Sequence, residues 1–192
     1  MGHKYRVTII TAPHAVCDVG RSRRPHPCDV VSAPYAREIH RLVGMSSKSQ
    51  YYEANIPRFG TAEACDLNRV DCYHTPYQIA VRDAMSTATI PWLHLDIHSF
   101  PNREFRGADV AILYLRGNEH VARDIKHQLE NDVQKSLIVS VVEASDANAL
   151  ILYSQRLYGG TSLLLEFNED TIPPGTSIFT LVTQSIAQWV LG

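Results

Sequence analysis

The sequence predicts an α/β protein: a single domain spanning residues 1–192, with a mixed, mostly parallel sheet covered by helices on both faces. Segments rich in β-branched residues alternate with amphipathic segments along the 192-residue chain, as is typical of such a sheet. Apolar residues make up 45% of the chain and charged residues 20%, which is ordinary for a globular protein. No repeat, low-complexity tract or Gly/Ser-rich linker divides the sequence.

Each element follows from its own residue pattern. Strands are predicted, in chain order, in KYRVTIIT, YYEANI, IPWLHLDIH, ADVAILYL, LIVSVVEA and TSLLLEF. Helices are predicted in DVVSAPYAREIHRLV, TPYQIAVRDAMSTA, NEHVARDIKHQLENDV, NALILYSQRLYGG and TSIFTLVTQSIAQWVL. Asp29 is expected to cap the first helix and Thr75 the second, with Pro76 at the first position of the second helix.

Composition narrows the class of protein. The net charge of −2 indicates neither a nucleic-acid nor a membrane partner. No segment reaches the roughly 18 apolar residues of a membrane span. The opening residues lack the pattern of a signal peptide, so we expect a cytoplasmic location. In that compartment cysteines are expected to be reduced thiols rather than disulfides, namely Cys17, Cys28, Cys65 and Cys72.

Titratable residues follow three of the predicted strands. His14 comes after the first strand, His98 ends the central strand and Glu166 lies within the last. The carboxyl ends of strands in α/β folds collect at one edge, where functional groups gather. Burying the Glu166 carboxylate without a partner would cost several kcal/mol, although a strand-end carboxylate can also reach water. Each residue alone has an ordinary structural explanation, and the joint pattern indicates a site.

The three-residue pattern of a catalytic zinc site can be completed from this set. Such a site takes three protein ligands and leaves a position open. His14 and His98 supply two, and the third is a carboxylate near His14, either Asp29 or Asp18. Asp29 is favoured because a helix start holds a carboxylate ionised and fixed. Asp96, two residues before His98, either orients a neighbouring group or is a strand-end polar residue.

A further motif, DLNR, covers residues 66–69. An Arg–Asn pair can hold a carboxylate, with Arg69 as a bidentate donor and Asn68 as a further donor. A simple salt bridge between Asp66 and Arg69 is the alternative. Of the arginines in the later loop, Arg103 and Arg106 are candidates for an anionic pocket.

Together these motifs resemble the N-formylglutamate amidohydrolase family, within the wider zinc carboxypeptidase-like (phosphorylase/hydrolase-like) fold. The resemblance covers about Thr11 to about Asn168 and rests on APHA, HPCDVVSAPYAREI, DLNR, LDIHSF and LLLEFN in that order. It implies a zinc cofactor and assigns roles to matching positions. The implied residues are His14, Asp29 and His98 as metal ligands, Asn68 and Arg69 as carboxylate clamp, Glu166 as general base and Arg58 as the residue polarising the substrate carbonyl.

The predicted function is a zinc-dependent amidohydrolase. Its substrate would be a small molecule, an N-acyl (possibly N-formyl) amino acid or small peptide with a free carboxylate, attacked by water with the help of Glu166. Related alternatives are a metallocarboxypeptidase-type peptidase and a carboxylate- or metal-binding module without turnover. A different alternative is a cysteine-based redox or structural-zinc protein, using the set His14, Cys17, His26 and Cys28.

Overall fold

A six-stranded sheet organises the chain. The computed structural model describes residues 4–16, 28–58, 64–101, 105–133, 137–144 and 149–192. The strands are β1 (Val7–Ala12), β2 (Lys48–Glu53), β3 (Trp92–Phe100), β4 (Val110–Tyr114), β5 (Val139–Glu143) and β6 (Thr161–Asn168). Their spatial order is β2-β1-β3-β6-β4-β5. All neighbours pair in parallel except β4, which runs antiparallel to β6, so the predicted α/β fold with a mixed, mostly parallel sheet is confirmed.

In the described part of the chain, four helices lie between strands and a fifth follows the last strand. They are α1 (Ser32–Gly44), α2 (Pro76–Thr87), α3 (Glu119–Asp132), α4 (Ala149–Leu152), which continues as a π-helical turn over Tyr153–Leu157, and α5 (Ser177–Leu191). The predicted start of α2 is confirmed, because the Thr75 side chain accepts a hydrogen bond from the Gln78 backbone N–H, and Pro76 follows Thr75. The predicted cap of α1 is wrong, since that helix begins at Ser32 after Val31 and has no side-chain cap.

The two faces of the sheet bury separate apolar clusters. On one face α1, α3 and α5 cover the odd-numbered positions of β3, including Leu95 and Ile97. Tyr35 of α1 stacks on Phe167 of β6 there, with ring centroids 3.8 Å apart. On the other face α2 packs over Trp92 and Ile9. All nine residues of β3 are buried, so any polar side chain on this strand needs a partner inside the protein.

Strand register brings the polar residues to one edge. His94, Asp96 and His98 alternate along one face of β3 and lie opposite Ser162, Leu164 and Glu166 of β6. Because β1, β3 and β6 are mutually parallel, their carboxyl ends share an edge. The chain after β1, the end of β3 and the end of β6 therefore lie side by side.

The prediction of reduced cysteines is wrong. Cys65 and Cys72 form a disulfide with a Cα–Cα distance of 6.0 Å, and Cys28 is disulfide-bonded as well. The structural-zinc alternative loses its Cys28 ligand for this reason, while Cys17 and His26 lie outside the described residues. Within the described ranges, every helix is too short or too polar to cross a membrane.

Candidate active site

Three residues from separate elements converge at the carboxyl edge of the sheet. His14 follows β1, Asp29 precedes α1 and His98 lies near the end of β3. Asp29 Oδ2 lies 2.9 Å from His98 Nδ1 and 3.4 Å from His14 Nδ1. All three side chains are buried, and one ligand atom from each lies within 4.8 Å of the others. The arrangement can hold a metal ion.

The Asp29 carboxylate is held by backbone contacts instead of by a helix cap. The Asp29 N–H donates to the His14 carbonyl over 3.0 Å, and the Ser99 N–H donates to Asp29 Oδ2 over 3.3 Å. Glu169 secures the surroundings, because its Oε1 accepts from the Ser99 hydroxyl at 2.6 Å and from the Val30 N–H at 2.9 Å. The sequence analysis missed Glu169, whose only signal is an acid just after the last strand.

These residues fit a zinc ion. His14 Nδ1 is buried and has no hydrogen-bond partner among the described residues, a costly arrangement unless the nitrogen has a ligand. Two imidazole nitrogens and a carboxylate oxygen are the donors of a three-ligand catalytic zinc site. Asp18, the alternative third ligand, lies outside the described residues.

The far nitrogens of both histidines also have partners. His14 Nε2 lies 2.7 Å from Asp66 Oδ1. His98 Nε2 lies 3.2 Å from Asn68 Nδ2 and 3.2 Å from Asp96 Oδ2. With a metal on Nδ1, each histidine carries its proton on Nε2, so the Asp66 and Asp96 carboxylates can accept it and fix the ring, whereas the Asn68 amide N–H cannot. Asp66 was predicted only as a partner of Arg69, so its contact with His14 is a feature that the sequence analysis missed.

Proximity shifts the acid–base properties of these groups. Burial by itself would raise the pKa of Asp29, but the close contacts with His14 and His98 and their charges outweigh it and hold that pKa well below the ordinary value. Asp66 shows the same balance, with burial opposed by His14 and Arg58, and its pKa is also lowered. The metal-free site therefore keeps both carboxylates ionised at neutral pH.

Behind His98 a chain of buried polar groups continues into the protein. The Thr11 hydroxyl donates to Asp96 Oδ1 over 2.6 Å and lies 2.8 Å from His94 Nε2. His94 Nδ1 in turn lies 2.9 Å from the Ser162 hydroxyl. Burial lowers the pKa of His94 to about 4, so its ring is neutral at physiological pH.

The remaining predicted residues surround this centre. Glu166 is half-buried on β6, in register with His98 and therefore on the same face of the sheet. Arg58 donates to Asp66 Oδ2 over 3.0 Å, and the half-exposed Arg69 has its Nε 3.6 Å from the same oxygen. The amide of Asn68 is occupied at both ends, because its Oδ1 also accepts from the Leu150 N–H. The Nδ2 atom of this amide lies beside His98 Nε2, a contact that was not predicted. The side chain of Arg106 lies outside the described part of the chain.

Comparison with known proteins supports the fold. No family model and no curated protein matches the sequence. Among solved structures, N-formylglutamate amidohydrolase from Ralstonia eutropha is 14% identical with a TM-score of 0.60, covering 99% of this chain and 93% of that one. The CwlD amidase from Clostridioides difficile is 12% identical with a TM-score of 0.62, covering 97% and 94%. Murine aminoacylase 3 is 13% identical with a TM-score of 0.55, covering 99% and 64%. The chain therefore shares the α/β fold of these structures.

Proposed function

We propose that this protein is a zinc-dependent amidohydrolase acting on an N-acyl amino acid, possibly N-formyl, or a small peptide with a free carboxylate. The observation that carries the proposal is the convergence of His14, Asp29 and His98, with a buried His14 Nδ1 that has no other partner among the described residues. Amidases and aminoacylases share the fold, which agrees with hydrolysis of an amide bond.

The chemistry divides between the metal and the chain's own residues. A zinc ion held by the three ligands would polarise the scissile carbonyl and acidify water. Glu166 would accept the proton from the attacking water and return it to the leaving nitrogen. Its position on β6, beside His98 on the same face of the sheet, supports this role.

Arg69 is the proposed anchor for the substrate carboxylate. Its side chain is 53% exposed and, among the described residues, its one ion pair is a 3.6 Å contact with Asp66, so its guanidinium can turn toward a ligand at little cost. Arg58 is closer to Asp66, at 3.0 Å, and remains the candidate for polarising the carbonyl. Fixing the carboxylate orients the amide for attack, converting binding energy into rate.

A second candidate is a cell-wall amidase. The N-acetylmuramoyl-L-alanine amidase AmiC2 of Nostoc punctiforme matches over 97% of its own chain, whereas aminoacylase 3 is matched over 64% of its chain. N-formylglutamate amidohydrolase is matched over 93% of its own chain as well, so coverage supports both candidates. The substrate of such a cell-wall amidase would be a muramoyl peptide, and its recognition does not require a free carboxylate next to the amide.

The disulfides bear on the compartment. Disulfides form and persist in oxidising environments and are rare in the cytosol. Three disulfide-bonded cysteines are described here. We therefore favour an oxidising compartment over the predicted cytoplasm, and expression with and without export to such a compartment, followed by thiol titration, tests this choice.

Metal content is the first test of the proposal. We expect about one zinc per chain in purified protein, measured by elemental analysis. His98→Ala should lose the metal and keep its fold by circular dichroism, because the site lies at the sheet edge. Asp29→Asn should weaken zinc binding more than Asp18→Asn, since an amide is a poor ligand. Wild-type protein that binds no divalent metal under any loading condition would contradict the enzymatic proposal.

Measurements of turnover distinguish the proposed general base, Glu166, from the proposed carboxylate anchor, Arg69. Glu166→Gln should cut kcat by roughly two orders of magnitude or more with zinc retained, because the amide cannot accept a proton. Arg69→Met should raise KM for N-acyl amino acids. Amidating the substrate carboxylate should then lower the kcat/KM of the wild type far more than that of Arg69→Met, because the amidation and the substitution remove the same interaction. If the losses in kcat/KM from amidation and from Arg69→Met simply multiply, Arg69 does not hold the carboxylate.

Turnover of muramoyl peptides alone would favour the second candidate, a cell-wall amidase.

A further inference from the structure

One short loop contacts both histidines of the proposed metal site from behind. The loop of residues 65–72 is closed by the Cys65–Cys72 disulfide, whose half-cystines are seven positions apart. From inside this ring, Asp66 reaches His14 Nε2 at 2.7 Å and Asn68 reaches His98 Nε2 at 3.2 Å. The Nδ1 atoms of both rings face Asp29 instead. With a metal on Nδ1, the His14 Nε2–H can donate to Asp66, whereas the Asn68 amide Nδ2 is itself a donor and cannot accept from His98 Nε2. The loop therefore holds the His14 ring on the side opposite the proposed metal.

The latter part of the loop is well anchored without the disulfide. Gln78, fully buried on α2, donates from Nε2 to the carbonyls of Leu67 and Arg69 over 2.8 Å each. Leu67 is fully buried. Asp66 precedes these anchors and directly follows Cys65, so the disulfide restrains the chain on the side of Asp66 that the Gln78 contacts do not reach.

We propose that the Cys65–Cys72 disulfide is a positioning element of the metal site, which keeps Asp66 against His14. The inference rests on the proposed zinc site. Partners that orient metal-binding histidines typically change metal affinity by about 10–100-fold when removed. Breaking the disulfide releases Asp66, whereas Asn68 stays held by the Gln78 contacts on either side of it and by the Leu150 N–H.

The test replaces both half-cystines, Cys65→Ser with Cys72→Ser. Zinc affinity is measured by competition with a chromogenic chelator, and folding by circular dichroism and Tm. We expect zinc affinity to fall about tenfold or more, while the circular dichroism spectrum stays native because the Gln78 and Leu67 anchors remain. The matched control is Leu129→Ala, a fully buried position of α3 under the opposite face of the sheet. It should lower Tm and leave zinc affinity unchanged.

A mutant cycle shows whether the disulfide acts through Asp66. With the disulfide intact, Asp66→Asn should weaken zinc about 10–100-fold. In the double-serine background the same change should cost less than about threefold, since Asp66 is already displaced. A general loss of stability would not produce this non-additivity.

The outcomes are distinct. Zinc affinity within twofold of wild type in the folded double-serine variant overturns the inference, as do penalties for Asp66→Asn that multiply with disulfide loss. If the double-serine variant does not fold, Asp66→Asn decides with the disulfide intact, because unchanged zinc affinity means that the loop does not hold His14. Wild-type protein without zinc affinity would instead overturn the proposed function itself.

Discussion

The two histidines of the site are supported in different ways. Nε2 of His14 contacts Asp66, whose side chain is 16% exposed. Asp66 lies on a disulfide-closed loop and pairs with Arg58. Nε2 of His98 contacts Asp96, which is completely buried on the central strand and is hydrogen-bonded to Thr11. One histidine is thus held by a surface loop and the other by the interior of the sheet.

Because of this difference, the two supporting carboxylates are expected to contribute unequally to the free energy of unfolding. A partly exposed ion pair adds little to folding, because water already solvates both charges. A buried carboxylate beside a histidine is different, since removing one partner leaves polar groups without compensation in a low-dielectric interior. We infer that the His98 side of the site is part of the core, whereas the His14 side depends on covalent closure of its loop.

The largest expected effect comes from applying the same substitution to both supports. In metal-free protein, Asp96→Asn should lower the free energy of unfolding by about 3 kcal/mol, because the charge that faces His98 within the core is lost. Asp66→Asn should cost less, because at 16% exposed the Asp66 side chain keeps some contact with water. Urea unfolding at pH 7 measures both values. Equal losses for the two variants would contradict the distinction between core and loop.

A smaller effect concerns pH. The pKa of His94 is about 4 in the folded protein against an ordinary 6.5, so below pH 6.5 the unfolded chain binds a proton that the folded chain does not. Stability must therefore fall as pH decreases, by about 2 kcal/mol from this residue between pH 7 and pH 5. His94→Gln cannot titrate and should show a shallower loss over that range.

Thermal unfolding of wild type and His94→Gln at matched pH values measures the difference between them, in which the contributions of other groups largely cancel. Parallel pH profiles would mean that the core behind His98 tolerates a charged His94. Asp29 and Asp66 are not expected to contribute in this range, because their lowered pKa values keep them ionised well below pH 5.

The smallest expected effect tests the outer part of the loop side. Arg58→Met removes the 3.0 Å contact with Asp66 at a position 22% exposed, and should cost under about 1 kcal/mol in urea unfolding. Arg37→Met, which removes the exposed pair with Glu53, is the matched control. If Arg58→Met lowers the free energy of unfolding several times more than Arg37→Met does, then charge pairs stabilise the His14 side of the site as strongly as the His98 side.

Much of this fold was predictable because its signals are local. The N-terminal end of α2 rests on Thr75 and Pro76, which impose their geometry on neighbouring residues alone. The shared edge of His14, His98 and Glu166 was also expected, since parallel strands place their carboxyl ends together. Neither inference required knowledge of distant contacts.

Other features depended on residues far apart in the chain. Asp29 reads as a helix cap, yet its carboxylate faces His14 and His98, because contacts with Ser99 and His14 position it instead. The absence of an export pattern suggested reduced thiols, whereas the turn between Cys65 and Cys72 brings their sulfurs together.

By itself the sequence determined the element types, the order of strands and helices, and the residue types gathered at one edge of the sheet, since periodicity and capping act over a few residues. Only the tertiary structure decided which partner each polar group takes. Asp66 lies 52 residues from His14 and Thr11 lies 85 from Asp96. Partners at such separations are selected by strand register and by the cost of burying an unpaired polar atom, and both become defined only when the sheet is assembled.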